Sequence, residues 1–386
     1  MDDLPRVSNV VLYINDAIRY DAACDRLAEM GRTHKTVSAS VHTAPSITSI
    51  LTGAYVPNHG VTSFKREVQD YQTTIGDLQP RLRIADHDHG RAATQCAVPD
   101  ISRRAIEDAE EPFIWIGHSP GGHAPYGQHN YDKYWSETTA PEYFAEVGAD
   151  FEKMRTDYQR GVDDSIAELV RIQSVLQSRG IEDETLIVHV SDHGELFGEY
   201  GFVGHNYLTV PELVYTPTAF IHPDVPAGHD ERLISHTDIL PTIAYALGED
   251  LRVPDGRALQ SGNPREMAHV YFKKEFYSDT GTINANFGVQ AIYGHKGGYV
   301  ESLHSRLDGL KMAAGLLLKS PKRTAIRHSG KQIQLFRTFI QSQNVYGELP
   351  AKVDELRDEL GDIGHNDNGA DKSEVNEEQL KDLGYL

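Results

Sequence analysis

Residues 191–206 read SDHGELFGEYGFVGHN and set Asp192, His193, Glu195 and His205 along one short stretch, directly after the apolar run TLIVHV. Ionisable groups at the end of a buried strand are costly to desolvate unless they bind or react. Asp16 closes a second such run, VVLYIN, while Thr43 lies in HTAPSITSILTG and His123 in the loop HSPGGHAPYG. Asp16, Thr43, Asp192 and His193 together offer two carboxylates, a hydroxyl and an imidazole, a donor set for one divalent cation. The oxygens suit Ca²⁺ or Mg²⁺, and the imidazole suits Mn²⁺ or Zn²⁺. A hydroxyl on such a cation loses its proton readily and can attack phosphorus or sulfur, with His123 or His205 protonating the leaving oxygen. Taken singly these residues have ordinary uses: Asp16 as a turn residue or N-cap, Thr43 as a helix cap, His123 as an exposed loop residue, Glu195 and Glu199 as structural or solvated groups.

The elements that must position them alternate between strand and helix. VVLYIND and TLIVHV read as buried parallel strands, and FIWIG as a third that opens into a Gly/Pro-rich loop carrying His118 and His123. A helix is expected over DAACDRLAEM with Gly31 as its C-cap, another from near Pro45, a third over YQTTIGDLQPRL, a long one from about 140 to 178 with a break, and one from about Asp238. The helix after Pro45 would aim its amide donors back at Thr43, where an anion could sit. This alternation is that of an α/β domain with a mainly parallel sheet, whose ligands gather at the carboxyl ends of the strands. The texture changes beyond about residue 265. AHVYFKKEFYS, GVQAIYGHKGGYVES and KQIQLFRTF read as shorter strands, LPAKVDELRDELGD as a helix, and residues 364–379 as a mobile polar loop. The expected division is therefore a catalytic α/β domain over 1–262 and a smaller antiparallel subdomain over 263–386.

The chain has 386 residues, enough for a large core. It has no apolar run near the length of a membrane span and starts MDDLPRVSNVV, without the basic and apolar regions of a secretory leader. Both features point to a cytoplasmic protein. Two cysteines, Cys24 and Cys96, support no disulfide framework. The net charge of −20 opposes a general nucleic-acid or anionic-membrane partner and suits a halophile's salt-rich interior, where screening relieves self-repulsion.

Taken in order, these segments resemble the sulfatase family of the alkaline phosphatase superfamily. VVLYINDAIRYDA is similar to the family's opening strand, TAPSITSILTG to its nucleophile signature, FIWIGHSPGGHAPYG to its His-x-Pro-Tyr loop, and SDHGELFGEYGFVGH to its metal-binding segment. The resemblance implies Asp16, Asp192 and His193 as metal ligands, His123 near the substrate, and His205 where a basic substrate-contacting residue usually stands. ISHTDILPTIAYALG and LKDLGYL are similar to further family segments. The chain departs from the family at its signature: Thr43 stands where sulfatases carry the cysteine or serine that becomes formylglycine, Ile47 replaces the arginine, and no GKWH-like segment supplies the usual lysine and histidine.

The function expected from these residues is a metal-dependent hydrolase or transferase that cleaves a phosphate ester through Thr43. The alternatives are a sulfuric-ester hydrolase working without formylglycine and a binding protein that kept the fold and lost catalysis. The partner is a small anionic ester, with neither nucleic acid nor membrane.

Overall fold

The computed structural model describes residues 4–70, 72–78, 83–86, 91–98, 102–129, 136, 138–277, 284–362 and 370–371. Its main sheet has eight strands: β1 (Asn9–Asn15), β2 (Arg32–Val37), β3 (Arg83–Asp86), β4 (Ser102–Arg103), β5 (Phe113–Ser119), β6 (Thr185–Ser191), β7 (Tyr215–Ile221) and β8 (Gly228–Ser235). Their order is β8-β2-β7-β6-β1-β5-β3-β4. Only β7 runs against its neighbours, pairing antiparallel with both β2 and β6. The other pairings are parallel, so β1, β2, β5 and β6 all finish at one edge.

The continuous apolar runs are explained by burial on both faces. Val10, Leu12 and Ile14 of β1 pack into one core with Ile47, Ile50 and Ile239, while Val11 and Tyr13 pack into another with Leu27, Tyr158 and Val162. Each such side chain contributes roughly 1.5–3 kcal/mol relative to exposure. The first core is covered by α2 (Thr43–Thr52) and α5 (Ile239–Ala246), the second by α1 (Tyr20–Met30), α3 (Ala140–Val147) and α4 (Phe151–Arg179). The break expected between 140 and 178 falls at Gly148, and Asp150 starts α4 by accepting from Lys153 N.

The second sheet is antiparallel throughout: β9 (Ala268–Tyr277), β10 (Asn284–Tyr293), β11 (Gly297–Ser302) and β12 (Gln343–Gly347), in that order. Four helices follow or flank it, α6 (Arg306–Leu318), α7 (Arg323–His328), α8 (Gln332–Ile340) and α9 (Val353–Asp362). Its core is shared with the main sheet, since Val37, Leu196 and Leu213 pack with Val270, Phe272 and Phe339.

Four local expectations need correction. KQIQLFRTF is the helix α8, because Leu335 and Phe339 recur at helical spacing and are its buried residues. YQTTIGDLQPRL forms only a short 3₁₀ turn, Ile75–Asp77, within its described part, where Thr74 and Asp77 close a capping box. Gly31 ends α1 in extended backbone (φ −166°), and a Cβ there would meet Phe220 O at 2.5 Å, so glycine serves close approach rather than a left-handed cap. Most of 364–379 and all of LKDLGYL lie outside the described residues, but Ala370–Asp371 pair as a short strand with Arg66–Glu67.

Candidate active site

The ends of β1, β2 and β6 deliver the expected residues to one place. Asn15 of β1 is in register with Ser191 of β6 and Ser119 of β5, so Asp16 and Asp192 leave adjacent strands side by side. Asp192 N donates to Asn15 O at 3.0 Å and Asp16 N to Ser119 O at 2.9 Å, which ties the three ends together. Beyond β2 the chain runs through Ser38–His42 into α2. This helix begins at Thr43 and not at Pro45, and its N-cap is His42, with no side-chain cap. Thr43 is therefore not a capping residue. Its hydroxyl lies 3.2 Å from His193 Nε2 and 3.5 Å from Asp16 Oδ2.

Protonation follows from the partners. His193 Nδ1 donates to Gly194 O at 3.0 Å, and burial holds the ring below its ordinary pKa, so the neutral imidazole presents the Nε2 lone pair to Thr43. Asp192 Oδ1 accepts from Ala17 N at 3.0 Å and His193 N at 2.7 Å. Ala17 adopts a left-handed φ of 60°, a strained conformation held where the backbone must turn its N–H toward Asp192. Even with those donors, burial pushes the Asp192 carboxyl up to about 7.

His118, expected in a loop, is a further candidate donor. His118 is the last-but-one residue of β5, in register with Ile14, and its Nε2 lies 3.8 Å from Asp16 Oδ2. Donor atoms of Asp16, His118 and Asp192 all lie within 4.8 Å of one another, and all three side chains are buried. Both ring nitrogens of His118 and Asp192 Oδ2 lack a hydrogen-bond partner among the described residues. His193 Nε2 stands 3.5 Å from Asp192 Oδ2 and 3.9 Å from Asp16 Oδ1. Two carboxylates between two imidazoles, with polar atoms left unsatisfied in the interior, fit a divalent cation. Parallel register was the available signal for His118, since it places that residue beside the end of β1.

Over this group lies a row of imidazoles. The His193 and His205 ring centroids are 4.3 Å apart, and those of His205 and His123 are 5.0 Å apart. The His123 loop can close over Asp16 because of Gly122, where a Cβ would meet Ala17 O at 2.5 Å. His123 Nδ1 donates to Ala124 O at 2.6 Å. Burial, reinforced by neighbouring imidazoles and Lys322, holds His123 and His205 well below the ordinary range. Both are thus neutral at neutral pH.

Three further residues were not foreseen. Glu195, expected to be structural or solvated, is fully buried and lies 3.2 Å from His205 Nδ1, with burial pushing it up to about 8. The pair therefore keeps a proton at neutral pH. Glu199 does have a structural role, bonded to Arg19 and Arg155. A lysine reaches the site from the C-terminal part of the chain. Lys322, the N-cap of α7, extends past the Phe144 ring at 4.9 Å to Gly204, where a Cβ would collide with its Nζ. It acts electrostatically on Glu195, His123, His193 and His205. Lys274 of β9 adds a second, partly buried cation, lowered to about 8 by burial and by Lys322. No short-range motif could have revealed either lysine.

The site is braced from behind. His236 accepts from Ala39 N at 3.2 Å through Nδ1 and donates from Nε2 to Ser191 O at 2.9 Å, linking the approach to Thr43 with the end of β6.

Residues 87–249 match the model of the Sulfatase family. That segment holds His118, His123, Asp192, His193, Glu195 and His205, while Asp16 and Thr43 precede it. The chain is 28% identical to the low-salt glycan biosynthesis sulfotransferase Agl7 of Haloferax volcanii, over 98% of this chain and 96% of that protein. Among solved structures it is similar to a 2-O GAG sulfatase (TM-score 0.59, 13% identity, 85% of this chain and 91% of the other). It is also similar to the phosphonate monoester hydrolase of Agrobacterium radiobacter (TM-score 0.57, 15% identity, 86% and 96%). At those identities the structural likeness is one of fold. No helix among the described residues is long and apolar enough to cross a membrane.

Proposed function

We propose, from the match of residues 87–249 to the Sulfatase family model and the fold shared with a sulfatase and a phosphonate monoester hydrolase, that the chain transfers a sulfuryl group from an anionic ester through Thr43 to an acceptor hydroxyl of a glycan. One observation carries the proposal: the Thr43 hydroxyl lies buried between His193 Nε2 and Asp16 Oδ2, at the N-terminus of α2. A threonine cannot become formylglycine, because its β-carbon carries a methyl group. The hydroxyl itself must then bond to sulfur as the bond from sulfur to the donor oxygen breaks. Its proton has an acceptor in Asp16 Oδ2 at 3.5 Å, and the His205–Glu195 pair holds a proton for the departing oxygen. The acceptor hydroxyl then attacks the threonine sulfate and restores Thr43. Lys322 and Lys274 supply the local positive charge that an anionic donor needs in a chain of net charge −20.

Asp16, Thr43, Asp192 and His193, with His118 added, are the residues that would hold a divalent cation. When bound, it withdraws electron density from the hydroxyl and offsets charge on the transferred group. The name of the Haloferax relative supports sulfuryl as the group and a glycan as the acceptor. The phosphoryl transfer expected from the sequence is the second reading, to be separated by assay.

Aryl sulfate and aryl phosphate, each assayed with and without sugar acceptors, separate the two. Sulfate turnover should exceed phosphate turnover and rise with acceptor. Thr43→Ala should lose at least about a thousandfold in kcat, and Thr43→Ser should keep activity and carry the trapped adduct on the peptide containing residue 43. Full turnover by Thr43→Ala would refute the nucleophile.

A further inference from the structure

The net charge of −20 is not spread evenly. Residues 303–340 hold eight Lys or Arg and one carboxylate, Asp308. Of these cations, Lys322 turns inward to the active site and Lys311 pairs with Asp308 at 3.2 Å. The other six, Arg306, Lys319, Arg323, Arg327, Lys331 and Arg337, are exposed. Among the described residues none of the six has a carboxylate within ion-pair distance, although the chain carries 57 Asp and Glu.

The same segment exposes leucines. Helix α6 buries Gly309, Met312, Ala313 and Leu316 on one side. On the opposite side Leu307, Leu310 and Leu318 are 61%, 47% and 65% exposed, with Ala314 and Leu317 half-buried among them. At 3.6 residues per turn these five positions fall within an arc of about 100°. A surface helix should be polar there, but this arc is apolar, with the paired Lys311 and Asp308 beside it. The neighbouring helix α8 adds Ile333, 72% exposed.

We propose that the α6–α8 face seats the protein on an anionic lipid bilayer, with the leucine stripe entering the head-group boundary and the surrounding Lys and Arg meeting lipid phosphates. Exposed leucines flanked by basic residues suit such a surface. A nucleic acid would satisfy the cations and leave the leucines in water, and a second copy meeting face to face would set like charges together. The overall acidity does not oppose this seating, because only the nearest charges act within a Debye length. The inference does not rest on the catalytic reading.

Co-sedimentation of the full chain tests it, using phosphatidylcholine vesicles with and without one third phosphatidylglycerol, at about 0.15 M and about 2 M KCl. The protein should sediment with the anionic vesicles, not with the neutral ones, and should be released at high salt. Leu307→Glu/Leu310→Glu/Leu318→Glu and, separately, Lys319→Glu/Arg323→Glu/Lys331→Glu should each lower the partition coefficient at least about tenfold while turnover of a soluble ester is unchanged. Equal binding to neutral vesicles, no binding to either, or variants that bind like the parent would overturn the proposal. A parent that is dimeric by light scattering while the leucine variant is monomeric would also overturn it, by identifying the face as a contact between copies.

Discussion

Lys322 offers the sharpest test of how the two halves of the chain combine. It is remote in sequence from every other site residue, yet its ammonium is buried beside Glu195 and acts on three imidazoles. The perturbation is Lys322→Met, a near-isostere that can fill the space between Phe144 and Phe202. A unit charge about 5 Å from an anion, at an effective dielectric constant of about 20, contributes about 3 kcal/mol. Its loss should lower kcat/KM on the order of a hundredfold. Stability should hold or rise, because exchanging a buried charge for a packed apolar group removes a desolvation cost, and Glu195 keeps His205 at 3.2 Å. The pH profile supplies a second sign. Lys322 lowers His123, His193 and His205 by repulsion and Glu195 by attraction, so without it all four rise. The descending limb that reports loss of the His205–Glu195 proton should therefore move to higher pH. Initial rates from pH 5 to 10, with melting curves on the same samples, decide the matter. A variant within threefold of the parent in kcat/KM, with an unmoved profile, would show that the anion does not bind near this lysine.

Chelation should remove activity, and metal analysis of the untreated protein should find one tightly held divalent cation per chain. Asp192→Asn and His118→Ala should each weaken that binding, and a parent that turns over normally after exhaustive chelation would refute the donor set. Restoring the cation at about a hundred times its Kd should stabilise the fold by about 2.7 kcal/mol, read as a rise in melting temperature. Arg265 binds Asp238 through two nitrogens, at 2.9 and 2.5 Å, and bonds Tyr55 Oη, all in the interior. Arg265→Ala leaves Asp238 buried without its counter-charge and should cost about 3–5 kcal/mol in denaturant unfolding. A loss below about 1 kcal/mol would place that pair with the ordinary surface bridges.

The sequence by itself determined the central strands of the main sheet and the candidate site residues that leave their ends. Two-sided burial writes itself as unbroken apolar runs, so β1, β5 and β6 were legible, and with them the polar residues that leave their ends, Asp16, Asp192 and His193. Thr43 was legible because it stands at a helix start that follows a strand. What tertiary structure alone decided is the surrounding charge. His118 joins the set through parallel register, Glu195 becomes a proton-holding group through burial against His205, and Lys322 arrives from the start of α7, between two strands of the second sheet. Helix α8 was misread as a strand because a short apolar run does not reveal its period until its partners are known. Hydrophobic period is a local property of the chain and can be read locally. Desolvation and Coulomb interaction depend on distance in space, and only the folded chain sets those distances.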